Sequence, residues 1–492
     1  MTGKELLFNT IRTQPTPRAA WVPFVGVHGG NLIGVPADDY LRSADLMVKG
    51  LKKAVELYKP DGIPVCFDLQ LEAEVLGCQL HWAKAVPPSV TTHPLSEGKT
   101  LADLPAFDET KGRLPTVMSA LRTLKQDIGD EVALYGLICG PFTLALHLLG
   151  SEIFLQMLDD PDYVKRVMAY CTEVGKKISE AYLKNGADVI ALVDPMTSQI
   201  SPDHFAEFVA PSINAICDFI REKKGLSALF VCGDVTRNLD AMVNTTADSL
   251  HVDEQINMEH LAKIAGEKNK AFGGNIKLTL TLLLGNENDA QRETITLFDA
   301  CGKKGFILSP GCDLPYDVPP KNLIAVAEMV HDDYAREMAR ISLKTLVSTM
   351  DLAHVTLPHY TAEKKVIVDV ITLDSTACAP CQYMLEAVTM AATSINATRF
   401  DIREHKIKEP TGISMMVKLG VKALPTICVD GEVCFISIIP DQTTIINRLQ
   451  KALELKAHPT SLIARLRVAI ANKEDPTDLI DQIEALLSEP TA

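Results

Sequence analysis

No apolar run in the sequence reaches the roughly 20 residues that a membrane-spanning helix needs; each is broken first by a polar residue or a proline. The opening residues, Met1-Thr-Gly-Lys-Glu-Leu-Leu-Phe8, hold no long apolar segment of the secretory kind. Positive charge is also scarce. Against 63 Asp and Glu stand 48 Lys and Arg, a net charge of -15. That excludes a general nucleic-acid or anionic-membrane surface, since both require a basic face. Nor is there a dense disulfide framework: 12 cysteines are scattered through 492 residues, so most read as buried thiols in a reducing compartment. No internal repeat is present. These absences describe a cytoplasmic globular protein with no nucleic acid or membrane among its partners, and they leave room for a homo-oligomer.

What the sequence does carry is alternation. From Leu6 to about Lys344, short apolar runs alternate with amphipathic stretches. Gly62–Phe67, Val132–Leu137, Val189–Val193, Ala228–Val231, Ser249–Val252, Ala271–Asn275 and Phe306–Leu308 read as strands. Helical patterns such as Pro161–Asn185 and Pro202–Lys224 separate them. Repeated strand–helix units imply an α/β fold with a parallel sheet. Their number over this length fits a closed (β/α)8 TIM barrel better than an open sheet. The strands end in Asp68, Asp194, Cys232, Asp253, Asn275 and Cys312. Strand C-termini line the mouth of such a barrel, although Asp and Asn also start loops and cap helices.

The rest divides into a linker at 345–364, a smaller α/β domain at 365–456 and a helical tail at 457–492. In the smaller domain a strand, Val366–Leu373, leads to Cys378-Ala-Pro-Cys381 and a helix from Gln382 to about Ile395. A second strand at Thr398–Ile402 follows, then Ala423-Leu-Pro-Thr426 and a hairpin turning at Asp430-Gly431. A two-residue turn there pairs Ile427 with Cys434 and leaves Cys428 on the opposite face. Helix N-terminal amides stabilise a thiolate, so Cys378 reads as a nucleophile. Cys381, one turn on, can resolve a mixed disulfide. A zinc site at this motif lacks a second Cys or His pair nearby. The motif, the Leu424-Pro425-Thr426 segment and their order resemble the thioredoxin family, whose cis-proline loop faces the cysteine pair.

The barrel segment resembles the uroporphyrinogen decarboxylase superfamily. The resemblance rests on Asp68 with Glu72-Ala-Glu-Val-Leu-Gly77, Gly140-Pro-Phe-Thr-Leu144, Gly186-Ala-Asp188 through Asp194, Ile200-Ser-Pro202, Ser249–Glu254, Gly273-Gly-Asn275 and Ser309-Pro-Gly-Cys312, in the family's order. Its decarboxylases bind an acidic tetrapyrrole with arginines near the chain start. Here Pro23–Gly30 holds no arginine, and a polycarboxylate substrate needs cationic partners. The resemblance therefore points to the cobamide-dependent methyltransferase branch. It implies methyl transfer between a cobamide, free or on a corrinoid protein, and a small-molecule acceptor such as a thiol. No Asp-x-His-x-x-Gly cobalamin signature occurs in the chain, so the corrinoid must come from outside.

In that branch zinc is held by a His-x-Cys motif and a later Cys. The matching positions are Phe230-Val231-Cys232 and Cys312. Residues two apart on a strand point the same way, so Phe230 puts a phenyl ring where a ligand is required. A third zinc ligand must come from elsewhere, His251 first, with Asp253, Asp68 and Glu74 as alternatives, or the site holds no zinc. The resemblance makes Asp68 and Glu74 candidates at the reacting centre. His28, Asp194, Asp253 and Asn275 are candidates for contacting substrate or cobamide. Two other readings stand beside methyl transfer: a redox protein in which Cys378/Cys381 serves Cys232 and Cys312, and a non-catalytic corrinoid- or partner-binding barrel.

Overall fold

The computed structural model describes residues 1–343, 355–376, 378–407, 409–421 and 424–457. The chain forms two compact units, divided between Met350 and Asp351. The first half of the expected linker and the expected helical tail from 458 onward lie outside the described residues.

The first unit is a nearly closed barrel. Its strands are β1 (Ala20–Trp21), β2 (Gly62–Pro64), β3 (Ala133–Cys139), β4 (Val189–Val193), β5 (Leu226–Val231), β6 (Ser249–Val252), β7 (Ala271–Ile276) and β8 (Phe306–Pro310). They pair in parallel in the order β1-β8-β7-β6-β5-β4-β3-β2. β1 has only two residues, too short for its alternation to be visible in sequence, and it is the strand the apolar pattern does not show. Asp61 ties it to β2. The Asp61 amide donates to the Trp21 carbonyl. The Asp61 carboxylate accepts the Trp21 amide at 2.8 Å and a two-pronged contact from Arg18 at 2.6 and 2.7 Å.

Residues two apart on each strand share a face, and one such set fills the barrel. Ala133, Tyr135 and Leu137 meet Val189, Ala191 and Val193, then Ala228 and Phe230. Leu6, Leu7 and Ile11 of α1 (Gly3–Ile11) join the same cluster. The other face of each strand is buried beneath the outer helices, so strands such as β3 are buried at every position. No single described helix is long and apolar enough to cross a membrane. A bent pair, Pro141–Leu149 with Glu152–Asp159, reaches that length only together, and every residue of its first helix is buried within the unit.

The second unit is built on a four-stranded mixed sheet. Its strands are β9 (Val366–Thr372), β10 (Phe400–Lys406), β11 (Thr426–Val429) and β12 (Glu432–Ile436), in the order β10-β9-β11-β12. β9 and β10 are parallel; the other pairs are antiparallel. Val366, Val368 and Val370 on one face of β9 pack against Met384 and Val388 of the helix Ala379–Ile395. Ile445 and Leu449 of the helix Gln442–Ala457 close the same core. Tyr360 packs on this unit too, its hydroxyl 3.0 Å from Asp369. The Asp430-Gly431 turn is present, but Ile427 pairs with Phe435, not Cys434, because the ladder shifts register between Ile427 and Cys428. Such a shift places two residues of one strand opposite one of the other. Cys428 and Cys434 are both free thiols.

Candidate active site

The barrel brings Cys232 and Cys312 together. Cys232 directly follows β5 and Cys312 lies two residues beyond β8, so both sit at the C-terminal mouth. Their Cα atoms are 5.7 Å apart, and their sulfurs form a disulfide. Both residues are partly exposed and rest on the barrel's apolar filling. Phe230 sits beneath them, fully buried, its ring 4.7 Å from Phe24 and 5.9 Å from Phe67.

His251 pairs in register with Phe230 on the neighbouring strand. Its ring lies 5.1 Å from Phe24 and 5.6 Å from Phe230. A Cβ on Gly273 would strike that ring at 2.5 Å, so only glycine leaves room for it. Neither ring nitrogen has a hydrogen-bond partner, and burial pulls its pKa down to about 3. It is a neutral histidine enclosed by aromatic side chains.

The expected zinc set therefore does not assemble. The two cysteine sulfurs are bonded to each other, Phe230 offers no donor, and His251 is enclosed among Phe24, Phe230 and Gly273. Among the described residues no group of three or more His, Cys, Asp or Glu side chains could hold a metal ion. The residues present do not fit zinc.

A second cluster lies beyond the end of β2. Asp68 is buried and takes an Arg113 Nη1 donor at 2.5 Å; Glu74 takes the Arg113 Nε donor at 2.9 Å. Arg113 precedes the helix Leu114–Asp127, outside every barrel strand, and no sequence motif marks it. Trp82 lies between two cations, with the Arg113 guanidinium 4.7 Å and the Arg42 guanidinium 3.7 Å from its ring centre. The mouth's buried guanidinium thus pairs with two carboxylates and packs on an indole, and its Nη2 is left without a hydrogen-bond partner. Glu72, one turn before the end of the same short helix as Glu74, is 1 % exposed. It accepts the Cys139 amide at 2.8 Å, and its other oxygen has no partner. Burial pushes its pKa up to about 8, so it keeps its proton at neutral pH. Glu72 opens the Glu72–Gly77 stretch that resembles the family, but its burial is not legible from sequence.

The remaining candidates hold the mouth's framework. Asp194 accepts the amides of Phe142 and Thr143 and the Thr143 hydroxyl, so it caps the helix Pro141–Leu149 from outside. A Cβ on Gly140 would meet it at 2.2 Å. Burial raises its pKa to about 6 despite those donors. Asp253 accepts the Gly233 amide at 2.9 Å and the Gln255 amide at 3.2 Å, which sets it beside Cys232. Burial raises its pKa as well. Asn275 donates to the carbonyls of Asp253 and Ile256, both at 2.8 Å. His28 is fully buried, and burial lowers its pKa to about 4. Its Nδ1 donates to the Tyr316 carbonyl and its Nε2 accepts from the Tyr58 hydroxyl, at 3.0 and 2.7 Å. Both nitrogens are committed to the protein.

In the second unit, Cys378 caps the helix Ala379–Ile395, which begins three residues earlier than the expected Gln382. The Gln382 amide donates to the Cys378 carbonyl. Cys378 is partly exposed and Cys381 is 1 % exposed, with the two sulfurs 2.7 Å apart. Burial raises the Cys381 pKa well above the usual thiol range. The Leu424–Pro425 bond is cis. It directly precedes Thr426, which pairs with Ile371 near the end of β9 that leads to Cys378.

Residues 2–332 match the family model of uroporphyrinogen decarboxylase (URO-D). The chain is 26% identical over 334 residues to the methylcobamide:CoM methyltransferase MtbA of Methanosarcina mazei, covering 66% of this chain and 97% of that one. It is 25% identical over 287 residues to a uroporphyrinogen decarboxylase of Geotalea uraniireducens, covering 56% and 81%. Among solved structures, a methyltransferase from Methanosarcina mazei superposes with a TM-score of 0.62 at 25% identity, covering 69% of this chain and 99% of that one. The barrel, its order of strands and this match agree: the chain belongs to the uroporphyrinogen decarboxylase family.

Proposed function

We propose that the barrel transfers a methyl group between a cobamide, free or carried by a corrinoid protein, and a thiol acceptor. The observation that carries this reading is the meeting of Cys232 and Cys312 at the mouth, on a barrel similar along its length to methylcobamide:CoM methyltransferases. The electrostatics of the mouth support it against decarboxylation. Pro23–Gly30 holds no arginine, and Arg113 already pairs with Asp68 and Glu74. A substrate with several carboxylates would find the buried guanidinium there already paired with two of the protein's own carboxylates.

Transfer to a thiol requires the acceptor to lose its proton before its sulfur forms the new C–S bond and the cobalt–carbon bond breaks. The chain's own groups fit that step without a metal. Asp253 stands beside Cys232 with two backbone amides fixing its carboxylate, and burial makes it a stronger base than a carboxylate in water. Asp68, held by Arg113, fixes the charge on the β2 side of the mouth. The disulfide links the chain just beyond β5 to the chain just beyond β8.

The test is spectral. Methylcobalamin mixed with candidate thiols and ample enzyme should lose its methylated spectrum as demethylated cobalamin forms, and Asp253→Asn should slow this by about 100-fold or more. An unchanged spectrum with every thiol, with the enzyme either oxidised or reduced beforehand, rules the reading out.

A further inference from the structure

We propose that the cluster around Asp68 at the barrel mouth is a binding site for a primary carboxamide, and that the amide it takes is one of the side-chain amides on the rim of the cobamide ring. The identity of that ligand rests on the methyl-transfer reading; the site itself follows from the protein's unpaired atoms.

Three buried polar atoms here have no hydrogen-bond partner among the described residues: Arg113 Nη2, Glu72 Oε2 and Gln70 Oε1. The residues gather about Asp68. Arg113 Nη1 donates to one Asp68 oxygen at 2.5 Å, and the Gln70 backbone amide donates to the other at 2.8 Å. Glu72 lies two residues beyond Gln70, near enough for the charges of Asp68 and Arg113 to act on its carboxyl. Buried polar atoms are almost always paired, so three unpaired ones in one cluster call for an occupant.

The pattern of donors says what that occupant is. Arg113 Nη2 can only donate and Gln70 Oε1 can only accept. Glu72 keeps its proton at neutral pH, and its Oε1 already accepts the Cys139 amide, so Oε2 carries the O–H and donates. Two donors beside one acceptor match a primary carboxamide, whose carbonyl oxygen accepts twice and whose nitrogen donates. Charge selects in the same direction. Asp68 and Glu74 already offset the Arg113 guanidinium. A neutral amide fits there, whereas a carboxylate would face two others and bring no donor for Gln70.

The place of the cluster says which molecule brings the amide. Arg113 is 6 % exposed, so the set is screened from bulk water without being sealed. Asp68 directly follows Phe67, whose ring is 5.9 Å from that of Phe230, and Cys232 lies two residues after Phe230. The cluster therefore shares the mouth with Cys232 and Asp253 but stands on the β2 side, while those two follow β5 and β6. A ligand that reacts beside Asp253 and is held beside Asp68 has to be broad. The corrin ring of a cobamide is a wide disc edged with carboxamide arms; a small thiol is not. Asp253 then serves the thiol, and the cluster fixes how the ring is turned at the mouth.

The experiment measures binding alone, on the full chain, with no thiol and no methyl group present. Equilibrium dialysis gives the Kd of cyanocobalamin and of its monocarboxylic acids, in each of which one arm amide has become a carboxylate. At least one monoacid should bind about tenfold or more weakly than the intact ligand. Gln70 is half-buried and its side chain makes no helix-cap bond, so Gln70→Leu is a variant the fold tolerates. It should weaken the intact ligand by about threefold or more and leave that monoacid unchanged, because the monoacid has no donor for Gln70. Equal Kd values for the intact ligand and every monoacid overturn the proposal and leave the three atoms to ordered water. A Gln70→Leu chain that weakens both ligands alike overturns it too, as does a natural chain that binds no corrinoid. A chain that discriminates in this way yet demethylates nothing keeps the site and loses the methyl-transfer reading. One that transfers methyl groups with equal Kd values keeps the reading and loses the site.

Discussion

The two cysteine pairs are built by opposite means. Cys378 and Cys381 are three residues apart, and one helical turn sets their spacing whatever the rest of the unit does. Cys232 and Cys312 are 80 residues apart, and only the completed run of strands from β5 to β8 brings them together. Local construction leaves the first pair free to open and close with little effect on its surroundings. Long-range construction couples the second pair to the integrity of the barrel. The same chemistry, sulfur against sulfur, therefore carries different consequences in the two units.

The largest effect that separates them is on stability. Closing a loop of 80 residues removes unfolded-state entropy worth about 4–5 kcal/mol, against about 2 kcal/mol for the short loop of the motif. Urea unfolding of the full chain, followed by hydrogen exchange in each unit, should show the barrel losing the larger amount when Cys232 and Cys312 are both changed to Ser. The Cys378→Ser/Cys381→Ser pair should change the second unit by no more than the smaller amount. Equal losses would break the comparison, because the bridge would then contribute no more to the barrel than the short loop does to the second unit.

A smaller effect tests whether the mouth has a framework besides the bridge. Arg113 neutralises two carboxylates at once, with Asp68 nearly inaccessible to water. Arg113→Met leaves that charge buried without a partner and should lower barrel stability by about 3–4 kcal/mol. Adding Asp68→Asn should recover part of the loss. If the double variant is no better than the single one, the arginine acts by packing on Trp82 and not by charge.

Legibility in the sequence follows the same division. The Cys378-Ala-Pro-Cys381 motif is visible because its spacing and its helix are contiguous. Seven of the eight strands are visible because each is an apolar run, and β1 is not, being two residues long. Cys232 and Cys312 are legible as a pair only through resemblance to a family. Nothing in spacing tells a metal pair from a bridged pair; that is decided by how close the strand ends bring the sulfurs. Arg113 escapes altogether, since it lies 45 residues from Asp68 in a segment with no strand pattern. His251 reads as a ligand because its strand position is right, but its enclosure depends on Phe24, Phe230 and Gly273, which come from distant parts of the chain. His28 reads as a candidate contact because it stands in a glycine-flanked segment near the chain start, yet Tyr58 and Tyr316 take both its nitrogens.

The smallest effect concerns the proton that the barrel mouth holds at neutral pH. Glu72 has its pKa pushed from 4.5 up to about 8 by burial. Below 4.5 the folded and unfolded chains both carry the proton, so pH has no leverage there. Between 4.5 and 8 the unfolded chain releases it and the folded chain does not. The folded state then binds more protons, and stability falls as pH rises, by at most about 1.4 kcal/mol for each pH unit. Above 8 the two states agree again and the slope disappears. Glu72→Gln keeps the shape and the acceptor for the Cys139 amide but has no proton to lose, so unfolding measured at pH 6 and pH 7 should differ less in the variant by about that amount. An unchanged slope would mean that Glu72 ionises in place. The β2 side of the mouth would then hold an ionised Glu72 in the same buried cluster as Asp68, with Arg113 the guanidinium they share.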